Sequence, residues 1–391
     1  MIKMLRIIAS MDPASGGPCQ GIRNSIPALK ELGVTTEVVC LDSTDASFLG
    51  SDGFRITALG PGKTPYGYTA ALKPWLEQHL GDYDYAIIHG LWLYTSFGTY
   101  HTWKQLKDAG KQVPKLFVMP HGMLDPYFQK APERRFKAMR NRVFWQLLEK
   151  QVINGVDGVL FTCEQELLLA RTTFPGYHPK AELNVGYGIQ EPPKKNTIHQ
   201  QAFLELCPQA ATQPYWLFLS RIHQKKGVDL LIQAYRSHYR QNPHIPILVI
   251  AGPGLETPYG AHLKNLAEGL PIYFTGMLQG DAKWGALYGA DWFILPSHQE
   301  NFGIAVVEAL ACSTPVAISK PVNIWREISD ARAGLVFTDD LEGVTSGLEH
   351  LLVLEDRLKQ EYAHSARELY QTRYRVAEAA AYLKQILQQY E

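Results

Sequence analysis

The sequence has no surplus of either charge: 38 lysines and arginines balance 38 aspartates and glutamates. Nucleic-acid binders carry a basic excess more often than not, so that partner class is set aside. No run approaches the ~20 apolar residues of a membrane span. The apolar run near the N-terminus (residues 4–9) is too short for a secretory signal, and a cytoplasmic protein is expected. The five cysteines (Cys19, Cys40, Cys163, Cys207 and Cys312) form no C-x-x-C pair and no zinc-finger spacing. They read as reduced, mostly buried thiols. No G-x-G-x-x-G occurs, which removes the dinucleotide fingerprint and argues against a nicotinamide dehydrogenase. No repeat of solenoid length appears. What remains is ordinary globular composition, 46% hydrophobic and 19% charged, in a chain long enough for two domains.

Short apolar runs alternate with helical patterns throughout. In the first half, strands are expected over 4–9, 36–41, 55–59, 85–88, 115–119, 156–162 and 183–187, with helices over 22–32, 70–80 and 164–173. The glycine-rich turn at 12–21 links a strand to a helix. It is either an anion-binding corner, with Gly16 and Gly17 at its centre, or a tight structural turn. His121 follows the strand at 115–119, and His89 closes the strand before it. Carboxyl ends of strands are where open α/β sheets bind ligands. Asp82 and Asp84 form a D-x-D, but it precedes a buried strand, where aspartate suits a turn, and no further carboxylates accompany it. No metal site is assigned.

Residues 130–152 read as a long helix with Lys130, Arg134, Arg135, Lys137, Arg140 and Arg142 against Glu133. Its apolar positions are Phe136, Met139, Val143, Phe144, Leu147 and Leu148. The expectation is a solvated basic face on a core-packed helix, with docking on anionic lipid as the alternative. Residues 188–200, polar with two prolines, read as a linker.

The second half restarts the alternation, with strands over 215–219, 247–251, 272–275, 291–295, 315–318 and 334–337. Arg221 and Lys226 bracket the turn before a helix over 228–239. A forked guanidinium and a point charge at a helix start suit a diphosphate; Lys225 is the alternative to Lys226. Residues 296–316 form a polar loop and then an apolar helix starting near Gly303. Glu300 and Glu308 have seven residues between them. Inside one helix they would stand roughly 80° apart, whereas Glu300 in the loop lets both face one extended ligand. Carboxylates accept paired hydrogen bonds from vicinal hydroxyls, and the glycine-led helix start offers backbone N–H groups. A sugar nucleotide carries two diols with a diphosphate between them. An amphipathic helix with solvated glutamates is the plainer alternative.

The E-x7-E block, together with the earlier S-R-I-H-Q-K-K-G at 220–227, resembles the paired signatures of the family 4 retaining glycosyltransferases. The resemblance covers nearly the whole chain. It implies the α/β GT-B fold: two doubly wound domains facing across a cleft, at 1–190 and 191–375, with a terminal helix (376–391) returning to the first. It implies a hexosyltransferase using a nucleoside diphosphate sugar, with UDP-glucose first, no divalent metal, and a glycan or lipid-linked acceptor. Exopolysaccharide or lipid-linked oligosaccharide assembly is the implied setting.

By the same resemblance the reacting centre is His121, Glu300, Arg221 and Lys226. Donor contacts extend to Gly16, Gly17, Met277 and Leu278, to Asn301, Phe302, Gly303 and Ile304, and to Glu308 on the ribose. In relatives the basic helix of the first domain leans on the bilayer. The rival readings are a GT-B sugar-nucleotide epimerase, whose acid and base carboxylates are not assignable here, and a non-catalytic sugar-nucleotide sensor.

Overall fold

The structure, a computed structural model, describes residues 2–131 and 134–390. It divides into two units, residues 1–188 with 376–391, and residues 189–375. The first holds a seven-stranded parallel sheet: β1 (Ile2–Ile8), β2 (Val34–Ser43), β3 (Ile56–Gly60), β4 (Tyr85–His89), β5 (Lys115–Met119), β6 (Gly158–Phe161) and β7 (Glu182–Asn184). Their spatial order is β3-β2-β1-β4-β5-β6-β7. The second holds β8 (Tyr215–Leu219), β9 (Ile247–Ala251), β10 (Ile272–Gly276), β11 (Trp292–Leu295), β12 (Val316–Ser319) and β13 (Gly334–Phe337), in the order β10-β9-β8-β11-β12-β13. Both sheets are doubly wound, as expected. Each reverses direction once, between β1 and β4 and between β8 and β11, and such switch points are where these sheets bind ligands.

Every residue of β8, β9, β11 and β12 is buried. That follows from helices covering both faces, so parallel strands read as continuous apolar runs rather than alternating ones. In the first unit the helix Val376–Gln388 packs beside Gly17–Glu31. Its Leu383, Ile386 and Leu387 share a core with Met4, Phe117 and Leu160. Among the described residues the five cysteines form no disulfide, and all are buried.

Some elements differ from expectation. The first helix starts at Gly17 rather than near residue 22. The expected linker yields early to a helix, Thr197–Leu206, because the Asn196 side chain accepts from His199 N–H and caps it. Helices Tyr94–Asp108, Pro258–Ala267 and Gly280–Gly289 were not anticipated.

The basic stretch is broken into Tyr127–Lys130, Arg135–Phe144, a wider π-helical turn over Trp145–Glu149, and Lys150–Gly155. Glu133 lies outside the described residues. The expected core-packed face is corrected here: only Ala138 and Asn141 of Arg135–Phe144 are buried, and Phe136 is 88% exposed. Met139, Val143 and Leu147 are exposed too. Trp145 and Glu149, four and eight residues after Asn141, continue the narrow buried face of Ala138 and Asn141.

Candidate functional site

In the second unit the switch-point loops follow β8 and β11. After β8 the chain passes Gly252, where a Cβ would lie 1.8 Å from Ser220 O; only glycine permits that approach. Arg221 is exposed and makes no hydrogen bond or ion pair among the described residues. His223 then accepts from Lys225 N–H (3.1 Å), a single turn runs Gln224–Lys226, and Gly227 takes the left-handed conformation (φ 62°). A Cβ on Gly227 would meet Pro296 O at 2.2 Å. This closeness seats the β8 loop directly on the β11 loop.

Three bonds pin the contact. His298 N–H and Ser297 Oγ–H donate to Lys225 O at 2.8 and 3.1 Å, and Lys225 Nζ donates to Gln299 Oε1 at 2.5 Å. The next residue on each loop is thereby brought face to face, and Lys226 Nζ pairs with the Glu300 carboxylate. Lys226 is 4% exposed. The structure thus separates the two lysines, for Lys225 holds Gln299 and Lys226 holds Glu300.

Glu300 is fixed through its backbone as well. Its N–H donates to Pro321 O and its carbonyl accepts from Asn323 N–H, both at 3.0 Å. Gly303 (φ 77°) turns the chain into the helix Ile304–Ala311, close to where the sequence placed it. Phe302 is buried edge-on against Tyr374, and Asn323 Nδ2–H reaches Asn301 Oδ1 at 3.4 Å. Glu308 accepts from Lys283 Nζ at 2.8 Å, and that ammonium also lies 4.1 Å from the Trp284 ring centroid. Lys283 was missed by sequence reading, since its helix is flanked by glycines and carries no clear periodicity. On the loop after β10, Met277 is exposed and Leu278 buried.

In the first unit, the loop after β1 is held by Asp42, which accepts from Ser10 Oγ–H (2.6 Å) and Met11 N–H (2.7 Å). Gly16 has φ 94° and leads into the helix at Gly17, whose carbonyl accepts from Tyr187 O–H at 2.7 Å. After β5, His121 adopts φ 52°, an unusual conformation for a non-glycine residue. Glu166 supports this turn, accepting from Gly122 N–H (2.5 Å) and from Thr162 N–H and Oγ–H.

His121 Nε2 meets His89 Nδ1 at 2.9 Å with the rings stacked. The sequence marked each histidine separately, and the structure makes them a pair. Burial, helped by the Arg6 charge, lowers His121 to about 3. Burial and the two neighbours lower His89 well below the usual range. Both are therefore neutral near pH 7, able to hydrogen-bond without carrying charge. Arg6, also missed, is buried inside β1.

The D-x-D has structural partners. Asp84 accepts from Lys3 N–H at 2.8 Å, at the start of the sheet, and Asp82 lies 3.6 Å from His79. Among the described residues no three metal-ligating side chains cluster.

Two family descriptions match the chain: "Glycosyl transferase 4-like domain" over residues 16–182, and "Glycosyl transferases group 1" over residues 208–368. The chain belongs to this glycosyltransferase group. A GDP-mannose-dependent α-(1-6)-phosphatidylinositol dimannoside mannosyltransferase from Mycobacterium tuberculosis is 34% identical over 124 residues, 32% of each chain. The chain thus spans about a third of that relative's length. A sucrose-phosphate synthase from Thermosynechococcus elongatus superposes with a TM-score of 0.73 at 18% identity over 99% of both chains. HepE from Anabaena, crystallised with UDP and glucose, gives 0.71 at 16% identity over 100% of this chain and 99% of its own. At such identities the likeness concerns the fold, which is GT-B.

Proposed function

We propose that this glycosyltransferase moves a hexose from a nucleoside diphosphate sugar to an acceptor hydroxyl with retention of anomeric configuration. The carrying observation is the Lys226–Glu300 pair, set side by side by the switch-point loops after β8 and β11. It joins an anion-binding cation to a diol-binding carboxylate at the place where doubly wound sheets take ligands. Lys226 and the unpaired Arg221 neutralise charge developing on the departing diphosphate. Glu300, with the backbone at 301–304, orients the hexose, and Glu308 takes the ribose hydroxyls. Met277 and Leu278 lie against the base, and Gly16 and Gly17 lie near the phosphates.

The anomeric bond to the phosphate oxygen breaks as the acceptor oxygen bonds to the same face of that carbon. The leaving phosphate oxygen takes the acceptor's proton. His121, neutral at working pH, hydrogen-bonds the sugar and does not serve as a general acid.

The proposed donor is UDP-glucose, the donor that the resemblance of the paired motifs implies; HepE, of the same fold, was crystallised with UDP and glucose. The mycobacterial relative, named for GDP-mannose, supports the rival donor. The cations of the site make a divalent metal unnecessary in this reading. Setting and acceptor are those of polysaccharide or lipid-linked oligosaccharide assembly at the cytoplasmic face. There the exposed Phe136, Met139, Val143 and Leu147, among five exposed basic residues of 130–142, would rest on anionic lipid. Among the described residues no helix is long and apolar enough to cross a membrane.

Calorimetric titration with UDP, UDP-glucose, UDP-N-acetylglucosamine and GDP-mannose in EDTA tests the reading. Binding of UDP and UDP-glucose without metal is expected. Preference for GDP-mannose overturns the donor, and binding of none overturns the assignment.

A further inference from the structure

Beside the paired histidines lies a recess of about 40 Å³, between the sheet and the helices Gly17–Glu31 and Val376–Gln388. That is room for about three water molecules, enough for the oxygens of a phosphate or carboxylate. Arg6 forms part of its wall. Met4, two residues earlier on the same face of β1, packs with Ala28 and Leu383, so an apolar side chain is what the position of Arg6 would ordinarily hold.

Arg6 is 3% exposed, and its Nε and Nη2 have no hydrogen-bond partner among the described residues. His89, 4% exposed, has no partner for Nε2 among the described residues. With His121 Nε2–H donating to His89 Nδ1, the His89 Nε2–H is left as a third unspent donor. Among the described residues no carboxylate acts on the guanidinium, and the group perturbing it besides burial is the Tyr187 hydroxyl. Burial lowers Arg6 only to about 10, so it stays cationic at neutral pH. A buried cation without a partner typically costs several kcal/mol. The other polar side chains of the recess are satisfied from within: Tyr187 O–H donates to Gly17 O, and Ser25 Oγ–H to Ile22 O at 3.1 Å.

We infer that the first unit binds a small oxyanion, a phosphate or carboxylate group, on Arg6 Nε–H and Nη2–H with His89 Nε2–H as the third donor. The planar fork of arginine matches two oxygens of such a group, and the third donor fixes its orientation. Half-buried Pro18, His121 and Gly186 form the mouth. The inference concerns the first unit; it shares His121 with the proposed sugar contact, and leaving nucleotide out of the test keeps the two readings distinguishable.

The test is a titration of the full chain with inorganic phosphate and, separately, with methyl phosphate and methyl glucuronide, without nucleotide. Imidazole 15N resonances are followed and assigned with His89→Asn and His121→Asn. Saturable movement of the His89 Nε2 resonance is expected, weakened about tenfold or more in Arg6→Met and less in Arg6→Lys. The two arginine variants guard against a folding defect in either. Movement with phosphate alone identifies a free ion, and movement with the methyl compounds identifies an anionic group borne on a larger molecule. A wild-type resonance unmoved by all three, or moved equally in Arg6→Met, overturns the site and leaves the recess to water.

Discussion

The charged groups at the carboxyl ends of the two sheets, and those buried beside them, are partnered in opposite ways. In the second, each motif carboxylate is matched with a lysine, Glu300 with Lys226 and Glu308 with Lys283. In the first, among the described residues, Arg6 is buried without a counter-ion, His89 and His121 stay neutral, and Glu149 is buried without a cation. In a matched pair each charge offsets the cost of burying the other, and in the proposed function the pair faces a ligand that carries both anionic phosphates and hydroxyls. An unmatched group must change protonation, find an external partner or cost stability. The same doubly wound topology therefore supports a preset ionic clamp in one unit and a set of unspent polar groups in the other.

The largest effect should come from breaking the clamp. Lys226→Ala and Glu300→Gln are each expected to lower transfer by roughly two to three orders of magnitude, the scale of losing one preorganised electrostatic contact. Folding, followed by circular dichroism, should survive. Near-normal turnover in either variant would make the pair a structural tie between two loops. Calorimetry separates the roles, because Lys226→Ala should weaken UDP itself whereas Glu300→Gln should spare UDP and weaken the sugar nucleotide.

Glu149 sharpens the other side of the comparison. It accepts from Trp92 N–H (2.8 Å) and Ser96 Oγ–H (2.6 Å), yet burial outweighs both bonds and raises its carboxyl to about 7. The fold retains a proton that the unfolded chain releases above about 4.5, so stability falls as pH rises from there to about 7. The loss amounts to about 3 kcal/mol, from a shift of about 2.5 at 1.36 kcal/mol each. His89 and His121 act in the opposite sense: they are neutral when folded, and stability falls as pH drops below their ordinary 6.5. Between 4.5 and 6.5 the two slopes oppose, so the total is uninformative there. The difference between wild type and Glu149→Gln in urea melts across pH isolates the carboxyl. A difference that does not change with pH would show Glu149 titrating normally.

Legibility in the sequence followed the same division. Strands such as Lys115–Met119 and Tyr215–Leu219 were readable to the residue, because burial on both faces leaves an uninterrupted apolar run bounded by turn residues. The glycine-led start of Ile304–Ala311 was readable for a similar local reason. Helix Tyr94–Asp108 was not, because it buries Thr95, Ser96, Thr99 and Thr102 and so shows no apolar stripe. Lys226 and Glu300 could each be singled out, but their contact joins residues 74 apart and depends on Gly227 touching Pro296. Arg6 was hidden inside a run that reads as a plain strand. Lys283 lacked any motif to mark it.

The smallest effect concerns the exposed face of Arg135–Phe144 and the turn after it. Phe136, Met139, Val143 and Leu147 recur at helical spacing on the outside, beside Arg135, Lys137, Arg140 and Arg142, all exposed. Burying one such side chain is worth about 1.5–3 kcal/mol, and each basic residue near an anionic surface adds about 1 kcal/mol. Partial insertion and screening reduce both. Co-sedimentation with vesicles containing phosphatidylglycerol should therefore exceed that with pure phosphatidylcholine. Phe136→Ser with Leu147→Ser should lower it about tenfold without altering UDP binding. The two substitutions remove apolar area and leave every charge in place. Unchanged retention in the double variant would mean that charge alone holds the protein at the surface. No retention on either vesicle would leave the stripe without a lipid role, and the contrast between the units would then rest on Arg6, the histidine pair and Glu149.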